Sequence, residues 1–598
     1  MMKGYPMITG AEYITEFLVR VGSRQVFTLT GGACAFMIDA VGRNPALNIV
    51  CFQNEQAAAM AADAVWRVER RLGVTMATSG PGATNLITGI ASSFFDSVPS
   101  LHITGQVNQR ESSSIHGANV RQSGFQETKI VEMVRPITKY AVLVRTVEEL
   151  RDELAKAYFI ATSGRMGPVL VDVPMDIQQA LMEPDFPDLT VPADVDIATI
   201  DAVAAALNAA LEVAQRPVVL WGGGIAMAGV EKQVADWLLA SRIPFVSSWA
   251  GLSAFDHDHP GFLGQIGVYG NRGANFVLQN ADTVIVLGSR LDNRQRSGNS
   301  DNFACGAIVH VIDIDGEEIK KYGGQRYRGS QMNLTGLPAV LDQIGPRQLE
   351  AEWLSYVDEM KSEYFGREVS TTAKKLNTLS PYDVVRRLGA LVEEDAIVAA
   401  DTGAAVCWLH QAFKVKRHQL FTAGGNSPMG YALCAAIGAK LVSPTRQVIS
   451  YNGDGGFQVN IQELQTVKHL DLDIAIVIMN NGCYGIIRQF QDSYLGSRYT
   501  ASYDGYSTPD FGKIAQAYGL DYARIERLED LTPDLFTRGA IVIDVILSDQ
   551  TLIEPKLEMG RPINDQYPYL DAAAYARGNR FVDYPRPEAL RRIVETAG

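Results

Sequence analysis

The chain has 598 residues, 47% hydrophobic and 20% charged, with a formal net charge of −14. That is enough for about three to four globular domains with large cores. The acidic balance excludes non-specific nucleic-acid binding, which needs a basic surface. The first residues, Met-Met-Lys-Gly-Tyr-Pro, have no signal-peptide core, and no apolar run reaches about 18 residues. A cytoplasmic protein with no membrane partner is expected. The six scattered cysteines read as small buried residues in a reducing compartment. Arg67–Arg71 and Lys414–Arg417 read as solvated faces.

Residues 1–185 are expected to form the first domain. Ile8–Val21 patterns as an amphipathic helix, with Thr9 as its cap. Gln25–Leu29 reads as a strand ending at Thr30-Gly31-Gly32, and Asn48–Gln53 as a second ending at Glu55. An alanine-rich helix, Gln56–Arg67, follows. The third strand, Gly73–Ala77, leads into Thr78-Ser-Gly80-Pro81-Gly-Ala-Thr-Asn85 and a helix, Leu86–Phe95. Three strand–loop–helix units in succession predict a parallel α/β sheet. The glycine loop suits either a capped turn or a ligand. Glu55 could cap its helix, yet it stands where such sheets place ligand groups.

An acidic, proline-rich linker around 183–192 precedes a second α/β unit, 195–345. Gly222-Gly223-Gly224 follows the strand Pro217–Leu220. Arg290, Asp292 and Arg294 follow Thr283–Leu287, and Asp313 lies in His310–Ile314. Glycines, arginines and an acid after successive strands suit a nucleotide's phosphates and ribose, or a purely structural domain. Residues 346–375 read as a charged, helical second linker.

The third domain is expected at 376–550. Val448–Tyr451 and Ile474–Met479 have the β-branched look of buried parallel strands, with a helix, Gln458–His469, between them. Gly453-Asp454-Gly455-Gly456 ends the first strand, and Asn481 and Cys483 follow the second. If the strands are neighbours, the Asp454 carboxylate, the Asn481 amide oxygen and the Cys483 carbonyl converge. Such hard oxygen ligands suit Mg²⁺ completed by diphosphate oxygens. The glycines let phosphate approach a helix N-terminus. The first and third domains share a strand–glycine-loop–helix grammar, as a duplicated fold would. Residues 551–598, with five prolines, read as an arm over the body.

These motifs give the chain a family. The pairing of Gly453-Asp-Gly with Asn480-Asn481, the Glu55 helix, Ala77–Leu86, Phe125-Gln126-Glu127, Arg290–Arg294 and Met429-Gly430 occur in order. Over about 550 residues the chain resembles the thiamine diphosphate-dependent decarboxylases and carboligases of the acetolactate synthase (acetohydroxyacid synthase) type. The resemblance implies three doubly wound α/β domains: pyrimidine-binding, central and diphosphate-binding. It implies thiamine diphosphate, Mg²⁺ held by Asp454, Asn481 and the Cys483 carbonyl, and a dimer or tetramer with sites shared between subunits. Glu55 would hydrogen-bond the aminopyrimidine and favour its imino form. Gly31, Thr78, Pro81 and Asn85 would line the pyrimidine side, with Ser427 and the Gly453–Gly456 turn also on the cofactor. Met429 would bend the cofactor, and Gln126 would reach the reacting centre. In the family the central domain holds FAD in a non-redox role, and Gly223, Gly224, Arg290, Asp292, Arg294 and Asp313 fit that pattern.

The implied chemistry is loss of CO₂ from a 2-oxo acid such as pyruvate, then transfer of the acyl unit to a carbonyl acceptor. Three departures bear on that acceptor. The stretch Gly105–Glu127 is longer than the synthase's. Phe490 stands where a tryptophan favours larger acceptors. The tail after Pro555 resembles those of relatives that add an acetyl unit to a keto-sugar nucleotide. Alternatives are a true acetolactate synthase of branched-chain amino-acid synthesis, a cyclic-diketone hydrolase and a non-catalytic paralogue. The hydrolase would prefer histidines where Leu29 and Thr30 stand; intact Glu55, Asp454 and Asn481 weigh against the paralogue. His116 suits a surface loop or a substrate contact.

Overall fold

The protein is described by a computed structural model that covers residues 6–116, 120–190, 196–345 and 347–584; the side chain of His116 lies outside the described part. Three six-stranded sheets carry the chain. The first holds β1 (Gln25–Leu29), β2 (Asn48–Cys51), β3 (Gly73–Ala77), β4 (Ser100–Gln106), β5 (Tyr140–Leu143) and β6 (Val169–Pro174). The second holds β7 (Pro217–Trp221), β8 (Phe245–Ser247), β9 (Phe262–Gln265), β10 (Thr283–Leu287), β11 (Ile308–Asp313) and β12 (Tyr327–Gln331). The third holds β13 (Ile397–Ala400), β14 (Gln419–Phe421), β15 (Val448–Gly453), β16 (Ala475–Asn480), β17 (Asp521–Ile525) and β18 (Ile541–Ile546). All pairings within these sheets are parallel. Near-continuous burial of β3, β7, β15 and β16 explains their apolar, β-branched sequences, since helices cover both faces of such sheets.

The first sheet runs β2-β1-β3-β4-β6-β5 and the third β14-β13-β15-β16-β18-β17. Counted within each sheet, the order is the same, as the shared grammar anticipates. The central sheet differs, β9-β8-β7-β10-β11-β12, the strand order of dinucleotide-binding folds. In each sheet the chain leaves two neighbouring strands in opposite directions: at β1 and β3, at β7 and β10, and at β13 and β15. Ligands of open α/β sheets bind outside the carboxyl ends of the strands at such a reversal.

The first and third sheets share one apolar cluster, built from Phe27, Phe52 and the Glu55–Glu69 helix on one side and Ile397, Leu433 and Ile437 on the other. The Glu55–Glu69 and Tyr431–Val442 helices approach so closely that a Cβ on Gly438 would lie 2.3 Å from the Ala61 carbonyl oxygen. Small side chains on both helices make that spacing possible. Arg67 corrects the reading of a solvated face. It pairs at 2.6 Å with buried Asp63 and at 2.8 Å with Asp96. Asp96 in turn accepts from the Gly425 N–H at 2.8 Å. Lys414 and Arg417 are exposed, as expected.

Other readings need adjusting. Thr9 does cap its helix, Gly10–Arg20, through a reciprocal bond with Glu12, an arrangement worth about 1 kcal/mol. The helix expected at Gln458–His469 instead begins at Asp454 and breaks at Asn460, whose side chain turns back to the Gly430 carbonyl at 3.0 Å. Cys51 and Cys305 are exposed, not buried. The segment read as a second linker carries a helix, Ala351–Tyr364, that buries Trp353, Tyr356, Val357 and Met360 in the central core. Among the described residues, no helix is long and apolar enough to cross a membrane.

From Thr551 the chain forms a strap between the third and central sheets. Gln489 holds Ile553 through two hydrogen bonds of 2.9 and 3.0 Å. The Leu557 N–H donates to Val268 O at 2.8 Å. Asn275 donates to Ile563 O at 2.9 Å and Arg272 to Pro568 O at 2.7 Å.

Candidate active site

β15 and β16 are direct neighbours, pairing Gly453 with Met479. Their ends therefore deliver Asp454 and Asn481 to one point. The Asn481 side-chain oxygen lies 3.0 Å from the Cys483 carbonyl oxygen and 3.2 Å from Asp454 Oδ1. Three oxygens that close, with no proton among them, repel. The amide must turn its NH₂ inward, or a cation must sit between them. A carboxylate, an amide oxygen and a carbonyl are the donors that Mg²⁺ prefers, so the residues fit the metal.

Asp454 is nearly fully buried. Burial pushes its pKa up to about 6, against a hydrogen bond from the Tyr506 hydroxyl. That hydroxyl donates to Asp454 Oδ2 at 2.9 Å and accepts from Gln458 at 3.1 Å. A Cβ on Gly455 would strike the Tyr484 ring at 2.4 Å. Neither tyrosine was legible in the sequence: both lie in or before irregular chain and match no motif. Tyr506→Phe is expected to raise the Mg²⁺ concentration for half-maximal activity about tenfold, as losses of a ligand's hydrogen-bond partner do. A Mg²⁺ titration at saturating cofactor checks this, and an unchanged midpoint would remove Tyr506 from the site.

Asp401, directly after β13, was also missed. It is fully buried, and burial pushes it up to about 7 against N–H donors from Thr402 and Gly430. Its carboxylate accepts from Thr402 N at 2.7 Å and Gly430 N at 2.9 Å. A Cβ on Gly456 would lie 2.8 Å from its carboxyl carbon. Asp401 thus ties the Met429-Gly430 turn to the Gly453–Gly456 turn across the sheet's reversal. Ser427 Oγ lies 2.5 Å from Thr402 Oγ1 beside it.

The pyrimidine-side residues form a second group at the β1/β3 reversal. Glu55 is buried at the first turn of its helix, whose cap is Asn54 rather than Glu55. Asn85 Nδ2 donates to Glu55 Oε2 at 2.9 Å. A Cβ on Gly82 would lie 3.1 Å from Glu55 Oε1, and one on Gly31 would collide with Thr78 at 2.6 Å. Pro81 opens the short helix Pro81–Asn85 and is exposed with Asn85 at the rim. Gln126, in the left-handed region at φ 63°, packs its Cβ over Gly80. Glu127 holds the long stretch after β4 in place. Burial alone would raise its pKa, but the N–H groups of Ser123 and Ser113 and the hydroxyls of Ser112 and Ser113 prevail and set it at about 2. Phe125, beside Gln126 in sequence, is 85% exposed. Among the described residues, no hydrogen bond or ion pair links Glu55, Thr78, Asn85 or Gln126 to Asp454, Asn481 or Met429.

In the central sheet Gly224 N donates to Gly288 O at 3.0 Å across the β7/β10 reversal. Gly223 and Gly224 open the helix that follows β7. Arg294 is exposed, with its guanidinium 5.5 Å over the Trp249 ring. The Arg290 carbonyl accepts from Lys321 at 2.6 Å. Asp292 spends its carboxylate on capping, accepting from Arg294 N at 2.9 Å. Asp313 is buried at the end of β11, and that burial raises its pKa. Phe490, on the Gly485–Tyr494 helix that leads away from the metal donors, packs against Tyr494 with ring centroids 4.8 Å apart.

A three-domain α/β chain with glycine turns at the reversals and oxygen donors at adjoining strand ends is the layout of a cofactor-diphosphate enzyme, and sequence comparison gives the family. Residues 8–133 match the thiamine pyrophosphate enzyme N-terminal TPP binding domain, 203–327 the central domain and 401–545 the C-terminal TPP binding domain. The chain belongs to the thiamine pyrophosphate enzymes. It is 35% identical over 523 residues to the acetolactate synthase isozyme 1 large subunit of Escherichia coli K12, covering 86% of this chain and 88% of that protein. The isozyme 2 large subunit of the same organism is 34% identical over 534 residues, covering 89% and 93%. The acetolactate synthase large subunit of Lactococcus lactis is 32% identical over 561 residues, covering 92% and 95%.

Proposed function

We propose that the protein is a thiamine diphosphate-dependent carboligase, a transferase/lyase of the acetolactate synthase type acting in the cytoplasm. It releases CO₂ from a 2-oxo acid, pyruvate, and joins the remaining two-carbon unit to a carbonyl acceptor. The observation that carries this reading is the convergence of the Asp454, Asn481 and Cys483 oxygens beside the Gly453–Gly456 turn.

When bound, thiamine diphosphate supplies the electron sink for breaking the bond to the carboxylate. The chain's own residues bind and orient it. Asp454, Asn481 and the Cys483 carbonyl would hold Mg²⁺, and the N–H groups after Gly453 would receive the diphosphate. Met429, braced by the Gly430–Asp401 bond, would supply an apolar support for the cofactor. Glu55 presents a carboxylate to the aminopyrimidine, with Oε2 fixed by Asn85 and water excluded by burial. Gln126 would face the reacting centre and Phe490 the acceptor. The Glu55 and Asp454 groups share no hydrogen bond or ion pair among the described residues, which, with Phe125 exposed, supports a site completed by a second copy, in a dimer or tetramer. Gly223, Gly224, Arg290, Arg294 and Asp313 support FAD on the central sheet, with Asp292 acting through its helix cap.

The Glu127-clamped loop and the buried strap favour an acceptor other than a second pyruvate. Incubation with thiamine diphosphate, Mg²⁺ and pyruvate, followed by CO₂ release and product NMR, tests the proposal. Slow turnover accelerated by an added ketone or aldehyde is expected. Rapid acetolactate formation would make this an acetolactate synthase proper. No CO₂ release under any condition would sink the carboligase reading.

A further inference from the structure

One buried carboxylate of the first domain has no part in the proposed chemistry. Asp172, on β6, is 2% exposed, and no ion pair reaches it among the described residues. Burial pushes its pKa up to about 7, against hydrogen bonds from Thr104 and Gln106. Thr104 is its register partner on β4 and donates to Oδ1 at 2.7 Å. Gln106, at the end of the same strand, donates to Oδ2 at 2.9 Å. A carboxylate taken out of water needs such donors.

Gln106 uses its whole amide at this point. Its Nε2 also donates to the Thr128 carbonyl, 22 residues on, at 2.9 Å. Its Oε1 accepts from Val107 N at 3.0 Å. The bond to Thr128 closes the base of the long stretch Gly105–Glu127. Thr128 passes the restraint on, since its hydroxyl donates to the Gln126 carbonyl at 3.3 Å. Gln126 stands at φ 63°, a left-handed conformation that a side chain disfavours. Such residues persist where their surroundings over-determine them. Gly80 supplies the opposing contact: a Cβ there would lie 2.9 Å from Gln126 Cβ. Two residues on, a Cβ at Gly82 would lie 3.1 Å from Glu55 Oε1. Asp172, Gln106, Thr128 and Gln126 thus form one line of contacts that ends on the turn against Glu55.

We propose that Gln106, oriented by Asp172, is a positioning residue that seats Gln126 against the Gly80–Gly82 turn, so that the Gln126 amide meets the reacting atoms beside Glu55. The inference rests on the carboligase reading for the chemistry at Gln126, but not for the anchoring itself. A side-chain amide supplies two donors and an acceptor on one planar group. An ionised glutamate in its place has no proton to give Asp172 or Thr128.

The full-length protein is compared with Gln106→Glu, the paired variant Gln106→Glu/Asp172→Asn, and Gln126→Ala. The pair returns a donor to the contact between positions 106 and 172 but leaves the Thr128 carbonyl without one. Its melting midpoint should therefore recover towards wild type. Hydrogen–deuterium exchange over residues 122–128 of the cofactor-free protein should nonetheless stay about tenfold faster than in wild type, as a local opening does. In CO₂-release assays both Gln106 variants should lower kcat roughly tenfold to a hundredfold, the scale of a misplaced group, with KM for pyruvate changed far less. Added to Gln126→Ala, either should cost nothing further, because residues acting through one group are not additive. Wild-type exchange in the paired variant, a kcat that recovers along with its midpoint, or losses that multiply with Gln126→Ala each overturn the proposal. Where Gln106→Glu alone does not fold, the paired variant carries every comparison. If wild type releases no CO₂ from pyruvate, the carboligase reading falls, while the exchange measurement still decides the anchoring of Gln126.

Discussion

Glu55→Gln is expected to lower CO₂ release from pyruvate by about 10²–10⁴-fold, the usual contribution of a positioned proton-transfer group, while leaving cofactor affinity within a few-fold of wild type. The two effects separate because the residues responsible lie in separate groups. In the proposed site, diphosphate and metal lie at the ends of β15 and β16, where Glu55 makes no hydrogen bond among the described residues. Glutamine has the same shape and keeps one oxygen for the 2.9 Å bond from Asn85, so the turn at Gly82 need not move. What it cannot do is carry a carboxylate's charge and proton. Rapid-quench CO₂ assays give the rate, and tryptophan fluorescence titration with thiamine diphosphate gives the affinity. A variant within twofold of wild-type rate would show that the buried Glu55 merely packs.

The second large effect falls on the metal. Asp454→Asn should weaken Mg²⁺ binding by at least about 100-fold, because the formal charge among the three donors resides on this one carboxylate. Stability should separate from binding. Without cofactor the variant should melt at or slightly above the wild-type temperature, since a buried carboxylate is replaced by an isostere that still accepts from Tyr506 at 2.9 Å. With Mg²⁺ and thiamine diphosphate at about 100 times the dissociation constant, wild type should gain about 2.7 kcal/mol by mass action. Asp454→Asn should gain almost nothing. Paired melts with and without Mg²⁺ measure both, and a retained Mg²⁺-dependent rise would place the metal elsewhere.

The strap illustrates how a correct local reading can miss its consequence. Proline and mixed aromatic–charged composition after Thr551 rightly suggested a segment lying over the body. Composition says nothing about what such a segment touches. Its hydrogen bonds go to Gln489, Trp408, Val268 and Asn275, residues 64 to 289 positions earlier in the chain by simple subtraction. The same blindness applies to Arg67, whose partners Asp63 and Asp96 turn a basic cluster into a buried junction.

Continuous β-branched apolar runs, glycine turns and the spacing from Gly453 to Asn481 were enough to determine the parallel α/β class, the main strands and the convergence of the Asp454, Asn481 and Cys483 groups. Each of those features is local, or follows from two adjacent strands of one sheet. Only the tertiary structure decided that the first and third sheets share one winding order and the central sheet another. Only it placed Asp401, Tyr484 and Tyr506 behind the donors, and buried the Lys556 ammonium in the strap without a hydrogen bond. Those placements depend on which sheet ends and helices pack together, and packing between distant segments leaves no periodic mark in the sequence. A buried, unpaired ammonium is the clearest case: as a sequence letter it is one more lysine, and its burial exists only once the strap has closed.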